Sequence, residues 1–574
     1  MKSRFFSSLF LLLTAMLMLC LPALPASASQ ATDYFDYTVL EDGTARITKF
    51  KGGLNWVDVP LVIEDCAVTE IGERAFYGSA LYTVTLPSTL TSIGESAFGA
   101  CRNLTSVTFG SGVASIGSYA FENCSALTAI TLPEGLTTMG DHCFWGCSAL
   151  ESAVLPSTLS EIPYAAFGAC KALTSVTITE GVVTVGNYAF GTCESLESIY
   201  LPDSVTSIGS LAFQWCYALR SVRMSPNVTT IGESAFVSCK NLADIELPAG
   251  LTVIEPQTFS GCAPLAHIEI PDGVTSIGRS AFQNCTSLAY LDIPASVGFI
   301  GEQAFSYCTS LTEVILPQGL TEISPMLFSG CESLSHVSIP SSVTSIGRNA
   351  FSSCYSLSDI QIPAGVTSIG ESAFLLCENL ASITLPKRLT SLGRQAFYNC
   401  DALTELTIPS RVTTLPEYLC YDCDNLASVT IPASVTSIDS RAFSFSSSLT
   451  TVYCVRGSAA ETWARSQQLT VVYIEGEKTV TYTLPDNLVR IRAGAFANDP
   501  VNVVVIPDGC EEIGDDAFAG CTELTDVYLP DTLTVVSSSA FSGCVNVTIH
   551  GTAGTLAQTI AENYAASGFT FAEN

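Results

Sequence analysis

The chain has 574 residues, of which 48% are hydrophobic and 13% charged. That balance excludes a disordered protein and implies a folded one with an extensive core. A formal net charge of -31 with a pI near 4.3 excludes nucleic acid and anionic membrane surfaces as partners, because both require a basic footprint.

At the N-terminus Lys2 and Arg4 precede an apolar run from Phe5 to Leu21 and the small residues Ala26-Ser27-Ala28. This order predicts a secretory signal peptide over residues 1–28. Leu19, directly before Cys20, is larger than lipid attachment at that cysteine wants. No later stretch is long and apolar enough to span a bilayer, so the expected location is extracellular or at the cell surface. An opening capping segment is expected over 29–66.

From there an internal repeat dominates. The pair Ala-Phe, or a close variant, places phenylalanine at Phe98, Phe121, Phe144 and onward to Phe397 at intervals of 23, then at Phe443. Phe76 precedes this array, and Phe496, Phe518 and Phe541 form a second, shorter one. In Asp244-Ile245-Glu246-Leu247-Pro248 the apolar and charged residues alternate with the strand period, which buries one side and leaves the other wet. Proline ends the strand. A turn, a second apolar pair such as Val274 and Ile277, and a short helical turn carrying Ala281-Phe282 complete the unit. Each unit can bury its apolar side only against its neighbours, so the expected fold is a repeat solenoid: a leucine-rich-repeat superhelix with a parallel β-sheet on one face and short helical turns on the other.

The consensus C-x-x-L-x-x-V-x-L-P-x-x-V-T-x-I-G-x-x-A-F closely resembles the BspA-like leucine-rich-repeat proteins of bacterial surfaces and secretions. The resemblance covers nearly the whole chain after the signal segment, and Tyr37 to Ile47, with a turn at Asp42-Gly43, looks like the family's opening hairpin. It implies a non-catalytic adhesion or protein-interaction role toward host matrix proteins or neighbouring cells. It implies no particular ligand.

The main array is expected over 67–454 and a second short array over 477–549. Two matching segments interrupt the repeat: Ala460, Trp463 and Ala464 align with Ala557, Ile560 and Ala561 at helical spacing. Each precedes a strand-like run, so helix-strand caps are expected over 455–476 and 550–574.

The 23 cysteines suggest no disulfide framework. Those from Cys101 to Cys423 at intervals of 23, with Cys521 and Cys544, occupy one repeat position, so their side chains run parallel where a disulfide needs convergence. They read as small buried hydrophobes. The four histidines fall in no catalytic motif, and there is no G-x-S-x-G, H-E-x-x-H or Walker sequence. No enzyme activity and no cofactor are expected.

One stretch of the outward strand positions departs from the Ser/Thr pattern of the other rungs. Successive rungs carry Tyr200, Arg223, Asp244 with Glu246, His267 with Glu269, Tyr290 with Asp292, Glu313, His336 and Asp359. Stacked rungs would gather these residues on the strand face as a recognition surface for an extracellular protein ligand. A glycan presented to Tyr200 and Tyr290 is the alternative. Asp244, Glu246, His267, Glu269 and Asp292 could also offer donors to a divalent cation, but their spacing follows the repeat and matches no metal motif, so no metal site is expected.

Overall fold

The computed structural model describes residues 31–474 and 481–573, and the secretory segment read in residues 1–28 lies outside the described residues. These form two compact units: the first runs to Val452 and takes in Thr462–Thr470, and the second comprises Tyr453–Glu461 with the residues from Val471 on.

The first unit opens with a hairpin, Phe35–Val39 paired antiparallel with Ala45–Phe50. Gly43, at φ +81, occupies the left-handed conformation that its turn demands. Ala45–Phe50 then pairs in parallel with Cys66–Ile71 and starts the stack. Phe50 lies 5.2 Å from Phe76, so the hairpin covers the first ring of the phenylalanine column.

That column forms the spine of the solenoid. Rings from Phe76 to Phe397 are buried and stack near-parallel, with centroids 4.7 Å apart at the first step and no more than 5.8 Å later. Burial of one such ring contributes about 1.5–3 kcal/mol, and its aromatic neighbours add about 0.5–1.5 kcal/mol. Three backbone ladders join successive coils around this spine. The first is the expected strand face, with pairs such as Ser198↔Ser221 and Glu313↔His336. The second links short strands such as Ser276–Ile277 and Phe299–Ile300.

The third ladder runs through the segment that holds Ala-Phe. It turns, but not as an α-helix. From Phe76 to Phe397 the residues two before and two after each phenylalanine of the column have positive φ, for example Ser96 and Ala100 at +50 and +57. This conformation points alternate N–H groups at the next coil: Ser96 donates to Ser118 at 2.9 Å, Phe98 to Ala120 at 2.7 Å and Ala100 to Glu122 at 2.7 Å. The backbone groups of the turn are satisfied between coils, as buried groups must be.

A glycine column sets how closely the second strands approach. From Gly94 to Gly393, a Cβ on the glycine of Ile-Gly would meet the preceding coil at 2.2–2.8 Å, distances that real Cβ atoms do not adopt. The glycine N–H donates to the isoleucine carbonyl of that coil, as Gly278 does to Ile254 at 2.7 Å. Where Pro163, Glu255, Ser324 or Pro416 replaces the glycine, the second sheet breaks and a new one begins. Asp439 is an exception and keeps the bond, to Leu415 at 3.0 Å.

All described cysteines are free thiols. Those of the column are hydrogen-bond donors as well as buried hydrophobes: Cys124 donates to the Phe98 carbonyl at 3.2 Å, and the pattern holds to Cys423 on Phe397 at 3.0 Å. Ser446, standing in the same column, donates likewise to Cys420 at 2.8 Å.

Near the boundary of the units the helix Ala459–Ser466 buries Ala460, Trp463 and Ala464. Trp463 lies 5.1 Å from Phe443, the last phenylalanine of the long array. The second unit repeats the plan: Phe496, Phe518 and Phe541 stack at 5.2 and 5.3 Å. Its helix Leu556–Asn563 buries Ala557, Ile560 and Ala561, and the strand Thr570–Glu573 pairs with Thr548–Gly551.

Candidate functional site

The strand face of the first unit places all eleven of the expected residues in solvent. Tyr200, Arg223, Asp244, Glu246, His267, Glu269, Tyr290, Asp292, Glu313, His336 and Asp359 are exposed, while Ile199, Val222, Ile245, Ile268 and Leu291 between them are buried. Alternation along the strand produces this separation.

The ladder gathers these residues in two short sheets. In the first, Tyr200 pairs with Arg223, whose guanidinium lies 5.1 Å from the phenol ring, and Ser221 pairs with Asp244. In the second, Tyr290, Glu313 and His336 lie side by side. His267 and Glu269 fall between the sheets, on a rung that forms no strand. Asp359 lies on another such rung, where Gln361 donates to its carboxylate at 3.3 Å. The continuous strand ladder that equal rung spacing implies is therefore interrupted at the centre of the patch.

Two residues account for the interruption. Pro264 stands where Ser287 and Ser310 donate to the preceding coil at 2.9 and 3.2 Å, and proline has no N–H to give. Glu255 replaces the stacking glycine of the same coil. Residues 253–270 are consequently joined to the previous coil by backbone bonds of the turn ladder alone: Ser234 to Pro256, Phe236 to Thr258 and Ser238 to Ser260. Among the described residues of the long array, this is the only coil open toward its predecessor on both strand sides.

A cleft of about 700 Å³ occupies the opened strand side, lined by Asp244, Glu246, His267, Glu269 and Asp272 over a floor that includes Ile245 and Ile268. A second cleft of about 450 Å³ lies on the other side of the same coil, against Thr230, Ile231 and Glu255. The larger one combines carboxylates, an imidazole and an apolar floor in a concave site, which suits a cationic or polar group better than a neutral apolar one. Tyr200 and Tyr290, 46% and 53% exposed, flank it, with Ile315 at 62% exposure beyond. Among the described residues no three of His, Cys, Asp and Glu gather closely enough to hold a metal ion.

Sequence reasoning found the charged residues and missed the cleft. The signal for it lies in Pro264 and Glu255, departures from the repeat in columns that face the neighbouring coil and not solvent.

Comparison with known proteins agrees with this architecture. The model of the BspA type leucine rich repeat region matches in six copies, five of them overlapping over residues 69–194, 160–289, 230–358, 276–398 and 344–459, and a separate one over 475–564. No curated protein matches the chain. A leucine-rich repeat protein from Bacteroides ovatus of known structure is 30% identical, with a TM-score of 0.53, over 66% of this chain and 94% of its own. A leucine rich cell surface protein from Faecalibacterium prausnitzii is 26% identical with a TM-score of 0.32, over 75% of this chain and 95% of its own. The leucine rich repeat protein of T. pallidum is 27% identical with a TM-score of 0.30, over 38% of this chain and 91% of its own. With repeat copies that run from the first coils to the last cap, the chain belongs to the BspA-type leucine-rich-repeat family.

Proposed function

We propose that the protein is an exported, non-catalytic binding module whose extracellular protein ligand docks on the strand face between Tyr200 and Gln361. The observation that carries this reading is a coincidence of two independent departures from the repeat. The outward columns change from Ser and Thr to charge and aromatic rings over the same stretch in which one coil opens on both strand sides. A regular solenoid face is flat, and the opened coil supplies the concavity into which a ligand side chain can be desolvated. The acidic lining selects a partner with a basic patch. Surface or extracellular location follows from the secretory signal read in the sequence, and among the described residues no helix is long and apolar enough to cross a membrane.

The test sets immobilised matrix proteins beside a glycan array, probed with the exported chain and with a variant in which His267, Glu269, Tyr290 and Asp292 become serine or threonine. The proposal expects a protein hit whose affinity falls in the variant by about 2 kcal/mol or more, with circular dichroism unchanged. Glycan hits alone, lost in the same variant, would instead establish the carbohydrate alternative at Tyr200 and Tyr290.

A further inference from the structure

The turn side of the first unit carries a second departure from the repeat, far from the strand columns along each coil. Tyr119, His142, Trp145, Tyr164 and Tyr188 bring aromatic rings to columns that in other coils are mostly polar or small, and they lie in contact over four coils. Tyr119 and His142 stack at 4.7 Å, and His142 meets Trp145 and Tyr164 edge-on at 5.5 and 4.9 Å. Trp145 and Tyr188 are 5.5 Å apart.

The coils beneath are shaped to hold these rings flat. A Cβ on Gly168 would fall 2.4 Å from Cε3 and Cζ3 of Trp145, and one on Gly191 would fall 2.4 Å from Cδ1 of Tyr188. The indole therefore rests on bare backbone, covered from below and part-exposed from above. Tyr188 is pinned by a 2.8 Å hydrogen bond between its hydroxyl and that of Thr192. Tyr164 stands 45% exposed at the edge. The His142 Nδ1 is buried without a hydrogen-bond partner, so packing against the rings and no polar anchor fixes the imidazole.

Several aromatic residues of other coils are covered by the chain's own cations: Arg74 lies 3.8 Å over Tyr77, Lys240 4.8 Å over Tyr217, and Arg394 and Arg441 lie 5.3 and 5.0 Å over Tyr418. The cluster has no such cation among the described residues, and its own stretch of each coil contains no lysine or arginine. It contains Glu122, one coil before Trp145 in the same column, and Asp141, beside His142. Neither carboxylate is in an ion pair among the described residues.

We propose that this cluster is a second binding site, which takes an arginine or lysine side chain of a partner protein. The negative faces of the rings and the two carboxylates both attract a cation, and nothing within the chain satisfies them. Because Tyr164 is exposed and Trp145 part-exposed, a cation carried on a protein gains contact with neighbouring coils that a free small cation does not.

The probe is a short glycine-flanked arginine peptide, compared with the same peptide carrying citrulline, titrated at physiological ionic strength into the exported chain while indole fluorescence is read. The arginine peptide is expected to change the emission and the citrulline peptide to leave it unchanged. Trp145→Ala and Tyr164→Ala should each weaken binding about fivefold or more, and Trp145→Phe should retain part of it. Tyr164 is exposed, so its removal tests the site even if Trp145→Ala unfolds. Replacing Glu378, an exposed carboxylate outside both proposed sites, with serine should leave the peptide's affinity unchanged. Equal binding of both peptides, undiminished binding to Tyr164→Ala and Trp145→Phe, or a response to neutral oligosaccharides with none to the arginine peptide would overturn the proposal.

Discussion

The cysteine column shows how one residue type serves a repeat. Each thiol fills a small core space and donates to a phenylalanine carbonyl 25 or 26 residues earlier, as Cys285 does to Phe259 at 3.3 Å. Cys285→Ala should therefore destabilise by about 1–2 kcal/mol in denaturant titration, through the lost hydrogen bond and the space left behind. Cys285→Ser should cost less, because serine already makes this bond at Ser446. Burial pushes the thiols of Cys216, Cys262 and Cys308 up to about 12, from an ordinary value of about 8.5. Since the folded state holds the proton more tightly than the unfolded one, this stabilisation is complete below about pH 8.5 and is lost as the pH rises toward 12. Melting temperature should accordingly fall above about pH 9, and more gently when those three cysteines are replaced by serine. An identical alkaline slope in that variant would show that other groups govern the fall. The equal spacing of the cysteines made their burial legible in the sequence, but not their carbonyl partners, which depend on how one coil lies over the next.

At the scale of the element, the glycine of Ile-Gly sets coil spacing and its loss opens it. Gly301→Ala would place a methyl 2.5 Å from the Arg279 backbone nitrogen and should cost about 1–3 kcal/mol, whereas Gly298→Ala, with nothing within 4 Å, should be neutral or slightly stabilising. Denaturant midpoints of the two variants compare them directly, and equal midpoints would contradict the stacking role. Pro264→Ser restores an N–H where the neighbouring coils use one. It should raise stability, slow amide exchange over 266–270 and weaken ligand binding by narrowing the cleft. Strands, prolines and the Ala-Phe period were readable because they report local alternation and turn chemistry. The turn segment looked helical because Ala and Phe are separated from the next apolar residues by helix-like intervals, yet its left-handed residues serve a ladder between coils that no local pattern encodes.

Over the whole molecule, repetition makes departures informative. A solenoid core needs the same residues in every coil, so a change in an outward column, or an opening between coils, is tolerated by the fold without being required by it. The strand-face residues, the cleft at the 253–270 coil and the aromatic cluster on the turn side are the departures to which function is assigned here. Hydrogen exchange of the free and ligand-bound protein tests the central assignment most directly. The amides of Leu247 and of 266–270, which donate to no carbonyl of a facing coil, should exchange rapidly in the free protein and become protected on binding, together with those near Tyr290 and Glu313. Protection confined to other coils, with Leu247 and 266–270 unchanged, would contradict a ligand site on the strand face.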